Sequence, residues 1–81
     1  MATTKGNKWK APIERVHSTL ADNVRVARNT AGLTQDQLAA FAGLERKSIN
    51  RIENNRLSPT IDTLVRIAMV LKVPVSDLID G

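Results

Sequence analysis

The chain has 81 residues, enough for one small domain, and 42% of them are hydrophobic. It contains no cysteine and one histidine, which excludes disulfides, thiolate zinc sites and a histidine metal cluster within this sequence. The net charge of +4 favours a polyanionic partner, and one Trp and one Phe are too few aromatic side chains to stack single-stranded bases.

The first eleven residues are basic and show no hydrophobic period. Lys5, Lys8 and Lys10 lie in this stretch, which predicts a flexible basic arm over residues 1–11 and a folded domain over residues 12–81. No apolar run is long enough for a secretory signal or a membrane span. We therefore expect a cytoplasmic protein without a membrane partner.

The first predicted helix follows the arm. Its inward stripe has apolar residues three and four positions apart: Ile13, Val16, Leu20, Val24, Ala27 and Ala31. Pro12 is suited to the first helical position, so the helix is expected from about Pro12 to Thr30, and Gly32 ends it.

Two short helices are predicted next. Thr34 and Gln37 form a capping-box pattern, which predicts a second helix that starts at Gln35 and is ended by Gly43. A third helix is expected over about 45–53, with two isoleucines on its inner face and basic side chains on its outer face. Two short helices joined by a glycine turn are typical of a helix-turn-helix unit.

The rest of the chain predicts two more helices. Thr60 can cap a fourth helix, whose helical stripe contains Ile61, Leu64, Ile67, Ala68 and Leu71, widened by Val65 and Val70. After Pro74, a last short helix is expected over Val75–Ile79, with Leu78 in the core. No strand pattern is present, so the predicted fold class is all-α.

A series of motif residues at fixed spacing runs through the two short helices and their surroundings. They are Arg28, Gly32-Leu33-Thr34-Gln35, Leu38-Ala39, Gly43-Leu44, Ile49, Arg51-Ile52-Glu53, Ser58-Pro59-Thr60, Leu64 and Ile67-Ala68. With them, residues 20–79 resemble the phage-repressor and Cro family, also called the xenobiotic-response-element type. The resemblance implies a compact five-helix domain like that of lambda repressor, with the helix-turn-helix at helices 2 and 3. It also implies a DNA-binding regulator with no cofactor.

The outer face of the third helix carries the candidate base contacts. The resemblance places Arg46, Lys47 and Arg51 where the family's base-reading side chains lie. Asn50 lies on the same face and is suited to adenine; the alternative is that it only flanks the groove. An arginine there can bond both major-groove acceptors of guanine. The alternative interpretation is a solvated polar face that contacts no ligand.

A second group of residues is positioned for phosphate contact. Gln35 opens the second helix, where backbone amides and the helix dipole favour an anion, and the resemblance gives it a bracing role on the DNA backbone. Ser48 is small enough to approach a phosphate, and Asn55 and Arg56 lie in the loop after the third helix. For Gln35, the alternative is a contribution to helix initiation alone.

The resemblance further implies a partly buried structural ion pair between Arg28 and Glu53. Two positions depart from the family pattern. Glu45 stands where a small hydroxyl residue usually caps the third helix. Three alternatives are open for it: it caps poorly, it accepts a hydrogen bond from a cytosine amino group, or it repels phosphates. Phe41 is an aromatic residue at a usually polar position, and we expect the first helix or Trp9 to cover it; the alternative is a partner surface.

The expected partners are double-stranded DNA and a second copy of the chain. One recognition helix reads few base pairs, so we expect a homodimer on a partly palindromic operator, acting as a repressor. Candidate dimer contacts are Leu71, Val73, Val75 and Ile79, although these residues can equally close the monomer core.

Three alternatives within this class remain open: a phage repressor, a restriction-modification controller, or an antitoxin that represses its own operon. A different class is a protein-interaction module of the same fold, such as an antitoxin binding a toxin or a domain that binds a transcription cofactor. No catalytic set or metal cluster is evident in the sequence, so we expect neither an enzyme nor a small-molecule effector.

Overall fold

A computed structural model describes residues 7–81, and every regular element in this range is helical. The α-helices are α1 (Lys10–Thr30), α2 (Gln35–Ala42), α3 (Arg46–Glu53), α4 (Ile61–Leu71) and α5 (Val75–Ile79), with a 3₁₀ turn at Asn7–Trp9. The predicted all-α fold with five helices is confirmed. No helix in the described range is long and apolar enough to cross a membrane.

The first helix starts earlier than the sequence pattern predicts. It begins at Lys10, so Pro12 is its third residue instead of its first. The first turn of a helix has no internal acceptor for its amides, so a proline there removes no helical hydrogen bond. Residues 7–11 of the predicted arm are therefore helical, and residues 1–6 lie outside the described range.

Both predicted threonine caps are present. At α2, Thr34 Oγ1 accepts from the Gln37 amide at 3.0 Å, and Gln37 Oε1 accepts from the Thr34 amide at 2.9 Å, which completes the capping box. At α4, Thr60 Oγ1 accepts from the Thr63 amide at 3.1 Å. Each cap satisfies helix-start amides that would otherwise lack a partner, so both helices begin where the sequence predicts.

The helices α1 to α4 all end in the same way, with one residue in the left-handed conformation. These residues are Gly32, Gly43, Asn55 and Lys72, with φ angles of 73°, 68°, 59° and 60°. At Gly43 the following amide, of Leu44, donates back to the Ala39 carbonyl at 2.8 Å. This paired closure turns the chain sharply, so α3 starts close to the end of α2.

The core is formed by one apolar face from each helix. Its buried residues are Leu20, Val24, Leu38, Ala39, Ile49, Ile52, Leu64, Ile67, Ala68, Leu71 and Leu78. Helix α1 packs against α3 and α5, while α2 packs against α3 and α4. The helix-turn-helix pair therefore rests on the two longest helices, which fixes its orientation.

Five residues of the predicted inward stripes are exposed instead: Ile13, Val16, Ala31, Ile61 and Val65. On α1, Ile13 and Val16 are 51% and 46% exposed, because burial begins only at Leu20 and the amino-terminal half of the helix extends beyond its neighbours. On α4, Ile61 is 69% exposed, since it lies in the first turn, ahead of the first core residue, Leu64. Helical spacing identifies a face but does not show how far the neighbouring helices extend along it.

The short helix α5 is attached to α1 by a polar contact as well as by Leu78. Asn23 Nδ2 lies within hydrogen-bond distance of the carbonyl oxygens of Asp77, Leu78 and Asp80, at 3.1, 3.1 and 2.8 Å. The last carbonyls of a helix lack internal donors, so this amide satisfies the end of α5. The sequence pattern did not indicate Asn23, whose partners are more than 50 residues away.

Candidate nucleic-acid interface

Helix α3 is anchored by its apolar face and presents its polar face to solvent. Ile49 and Ile52 are 0% and 1% exposed, and they pack into the core formed with α1 and α2. Ala39 and Ala42 on α2 are buried, and their small side chains allow close packing of the two helices. The outer face of α3 is therefore held in a fixed position relative to the core.

All four candidate base contacts lie on this exposed face. Arg46, Lys47, Asn50 and Arg51 are exposed, and the first three line one open cleft. The Nε atom of Arg46 lies 3.7 Å from Asp36 Oδ1, and both side chains are more than 60% exposed. Because such a solvated pair contributes little stability, Arg46 can exchange this carboxylate for another partner at small cost.

Helix α3 begins at Arg46, one residue later than predicted, and Glu45 is its N-cap residue. The Glu45 backbone is extended and its side chain makes no capping hydrogen bond. This geometry agrees with the first of the three alternatives, a poor cap. The carboxylate is exposed beside the basic face of α3.

An ion pair connects α1 to the end of α3. Arg28 Nε donates to Glu53 Oε2 at 2.6 Å, and Arg28 Nη2 donates to Glu53 Oε1 at 3.0 Å. The two side chains are only 13% and 3% exposed, and Arg28 Nη1 also donates to the Leu33 carbonyl at 2.7 Å. The hydrogen bonds to Glu53 raise the pKa of Arg28, against the opposing effect of burial. The structure thus brings together the two residues that the resemblance pairs.

Gln35 takes part in the same network, which the sequence interpretation did not anticipate. Its Nε2 donates to Glu53 Oε1 at 3.2 Å, and its Oε1 accepts from Asn50 Nδ2, also at 3.2 Å. The side chain is half-buried between α2 and α3. Gln35, Asn50 and Glu53 were each singled out from the sequence, but their mutual contacts depend on the packing of two helices.

The other candidate phosphate contacts lie at different depths. Ser48 is half-buried, whereas Asn55 and Arg56 are exposed just after α3. Asn55 Nδ2 donates to Ser18 Oγ on α1 at 3.2 Å, and the Arg56 amide donates back to the Arg51 carbonyl at 2.8 Å. These contacts fix the loop that follows the exposed face of α3.

Most of the residues predicted as dimer contacts are not among the exposed apolar residues. Leu71 is buried in the monomer core, and Val73 and Val75 pack against it; of the four candidates, only Ile79 is exposed, at 41%. The alternative that these residues close the monomer core therefore accounts for Leu71 and largely for the two valines. Helix α4 instead exposes an apolar row, defined here as the α4 row: Ile61, Val65 and Met69, at 69%, 40% and 75%.

Phe41 is 67% exposed, so the expectation that α1 or Trp9 covers it is wrong. It lies beside Met69 and Val70 in a shallow groove between α2 and α4. Within residues 7–81, no group of three or more potential metal-binding side chains is found.

Comparison with known proteins identifies this arrangement. The helix-turn-helix family model HTH_3 matches residues 24–78. The control protein C.SmaI of Serratia marcescens is 38% identical over 64 residues, which cover 79% of this chain and 76% of that protein. The immunity repressor protein of Bacillus phage phi105 is 34% identical over 61 residues, which cover 75% of this chain but 42% of the repressor.

Solved structures show the same fold. The hypothetical transcription factor NHTF from Neisseria has a TM-score of 0.78 and 28% sequence identity, over 80% of this chain and 73% of that chain. The restriction-modification controller protein C.AhdI from Aeromonas hydrophila has a TM-score of 0.74 over 76% of this chain and 94% of that chain; at 22% identity, it shows the fold alone. This chain belongs to the HTH_3 helix-turn-helix family of the phage-repressor and xenobiotic-response-element type, a family of DNA-binding transcriptional regulators and not of enzymes.

Proposed function

We propose that this chain is a sequence-specific repressor that binds duplex DNA as a homodimer, with α3 of each copy in the major groove of one half of a partly palindromic operator. The observation that carries the proposal is the exposed basic face of α3, backed by the buried Ile49 and Ile52. A rigid helix with a polar outer face is what major-groove reading requires. Such a regulator would act in the cytoplasm.

Base reading is assigned to Arg46, Lys47, Asn50 and Arg51. Arg46 and Lys47 lie in the first turn of α3, and the amino-terminal end of a recognition helix is the part that reaches base edges. Arg51 lies four residues after Lys47 on the same face. An arginine that bonds both acceptors of a guanine contributes about 1–3 kcal/mol of discrimination against other bases.

Phosphate binding is assigned to Ser48, Asn55 and Arg56. Asn55 and Arg56 are exposed and follow α3 directly, and the contact between Asn55 and Ser18 supports a fixed loop. Phosphate contacts set the position of a protein on DNA without reading its sequence. The charged contact of Arg56 is expected to steepen the dependence of log affinity on log salt by about 0.9.

The homodimer follows from the limited reach of one helix. Half-sites read by a symmetric pair of recognition helices lie about 34–36 Å apart, so two copies must associate at that spacing. The α4 row and Ile79 are the exposed apolar residues that support this association; Leu71 serves the monomer core. The names of the relatives, a control protein and an immunity repressor, also favour a regulator of an operon.

Selection of bound duplexes from a random pool tests the proposal. The wild-type chain should enrich two half-sites in inverted orientation, centred about 10–10.5 base pairs apart or a multiple of this. Sedimentation of the complex should show two chains per duplex. The matched control is Lys72→Asn, which removes one positive charge away from α3 and retains a side chain that tolerates the left-handed conformation.

Arg46→Ala should lose the selected preference, and Lys72→Asn should retain it. A pool in which no sequence is enriched, or a complex with only one chain, would contradict the proposal.

A second candidate function is a protein-interaction module, which the exposed Phe41 and Met69 favour. Its expected result is weak, non-selective DNA affinity that is the same for wild type and Arg46→Ala.

A further inference from the structure

A continuous chain of hydrogen bonds runs from the buried ion pair to the outer face of α3. It passes from Arg28 to Glu53, from Glu53 to Gln35 and from Gln35 to Asn50, with donor–acceptor distances from 2.6 to 3.2 Å. Glu53 is 5% exposed, Gln35 is half-buried and Asn50 is exposed. The network therefore extends from the protein interior to the surface assigned to base reading.

The direction of every hydrogen bond in this chain is determined by its buried end. The ionised carboxylate of Glu53 can only accept, so Gln35 must present its amide nitrogen to it. Gln35 then has its carbonyl oxygen on the side of Asn50, and Asn50 must present its own nitrogen to that oxygen. The side-chain amide of Asn50 is thereby held in one of its two possible orientations.

We propose that Gln35 is a positioning residue: by holding Nδ2 of Asn50, it fixes the Asn50 amide so that Oδ1 and the remaining N–H face the DNA and read adenine. Adenine offers an N6 donor and an N7 acceptor in the major groove, which an asparagine amide matches with one acceptor and one donor. This inference rests on the proposed function, because it assigns a role within the same α3 interface.

The proposal differs from the phosphate contact that the sequence indicates for Gln35. A phosphate contact supports all DNA sequences equally, so its loss weakens binding without changing the base preference. A positioning role changes the preference at one base pair. The two hydrogen bonds that Gln35 makes within the protein favour the positioning role, because its oxygen and one of its two amide protons already have partners there.

The test measures the base preference and the overall DNA affinity of three variants on the sequence that the wild-type chain selects. Gln35→Met has similar size but neither donates nor accepts, and Asn50→Ala removes the base-reading amide itself. Gln35→Lys retains a donor for Glu53 but offers Asn50 no acceptor, so it separates the second contact from the first. The matched control is Gln37→Met, which loses only the capping bond to Thr34 on the same helix.

We expect Gln35→Met, Gln35→Lys and Asn50→Ala to lose preference at the same base pair, by about 5- to 150-fold. The double variant Gln35→Met/Asn50→Ala should lose no more than either single variant, because both act through one amide. Thermal unfolding of each variant verifies that it is folded at the binding temperature. Gln37→Met should retain the wild-type preference and affinity.

Retained preference in both Gln35 variants would overturn the inference while leaving the proposed function intact. A uniform loss of affinity, with the preference at every base pair retained, would overturn it in favour of a phosphate contact. If the wild-type chain selects no sequence, the inference and the proposed function both fail.

Discussion

Removal of the Glu53 carboxylate tests the structural role of the buried ion pair. In Glu53→Ala, Arg28 keeps its charge and its bond to the Leu33 carbonyl, but Nε and Nη2 lose the acceptors that lie 2.6 and 3.0 Å away in the wild-type chain. The Arg28 side chain is only 13% exposed, so water cannot fully replace these partners. The variant therefore leaves a buried cation without its counterion.

The expected cost is large for a chain of this size. Loss of one partner of a buried ion pair costs about 3–5 kcal/mol. At about 0.05–0.15 kcal/mol per residue, an 81-residue domain has a total unfolding free energy of about 4–12 kcal/mol. Each kcal/mol lowers the melting temperature of such a domain by about 4–8 °C, so we expect a decrease of at least about 12 °C.

Urea and thermal unfolding measure this cost, with Glu14→Ala on the exposed face of α1 as the control for loss of a carboxylate. The apolar double variant Arg28→Met/Glu53→Leu should regain most of the lost stability, because it leaves no buried charge unpaired. A Glu53→Ala variant within about 0.5 kcal/mol of the wild type would contradict a structural role for this ion pair, since surface substitutions have effects of that size.

The pH dependence of the Glu53→Ala deficit follows from the raised pKa of Arg28. A raised pKa in the folded state favours the charged form, so the stability that Arg28 gains from Glu53 is fully present below the ordinary pKa of an arginine. It is lost only as the pH rises above that value. The difference in unfolding free energy between the wild type and Glu53→Ala should therefore be the same in neutral and in mildly alkaline buffer. A smaller difference in the alkaline buffer would contradict this role of Arg28.

Three further predictions concern α3 and its turn. Arg46→Ala and Arg51→Ala should each relax preference at one base pair by about 1–3 kcal/mol in competition binding, and unchanged preference in both would contradict base reading. Arg56→Ala should lower the log–log salt slope by about 0.9 without altering preference, whereas an unchanged slope would remove it from the phosphate contacts. Gly43→Ala should cost about 1–2 kcal/mol in thermal unfolding, because φ is 68° and the new Cβ would lie 3.0 Å from Arg66 Nη1; wild-type stability would contradict this.

The positions of the helices were largely predictable because local chemistry determines them. Thr34 and Thr60 cap α2 and α4 with bonds to residues three positions ahead, and Gly43 allows the left-handed closure between α2 and α3. Such signals depend only on neighbouring residues, so the sequence contains them. The start of α1 was missed because Pro12, at its third position, interrupts no helical bond.

The contacts within the site could not be predicted in the same way. The Arg28–Glu53 pair was expected from the resemblance, but the bonds of Gln35 to Glu53 and Asn50 depend on the angle at which α2 and α3 pack. Exposure was equally non-local: Ile61 and Leu71 belong to the same predicted stripe, but only Leu71 is covered by the core. Helical spacing does not determine where the neighbouring helices end.

We propose that the exposed basic face of α3 reads the major groove. Methylation interference on the selected operator tests it most directly, because methyl groups on guanine N7 lie in the major groove and those on adenine N3 lie in the minor groove. We predict that N7 methylation at guanines within each half-site prevents binding, and that Arg46→Ala becomes insensitive to methylation at one of them. Interference only at adenine N3, or interference at guanines that is identical for wild type and Arg46→Ala, would contradict major-groove reading by α3.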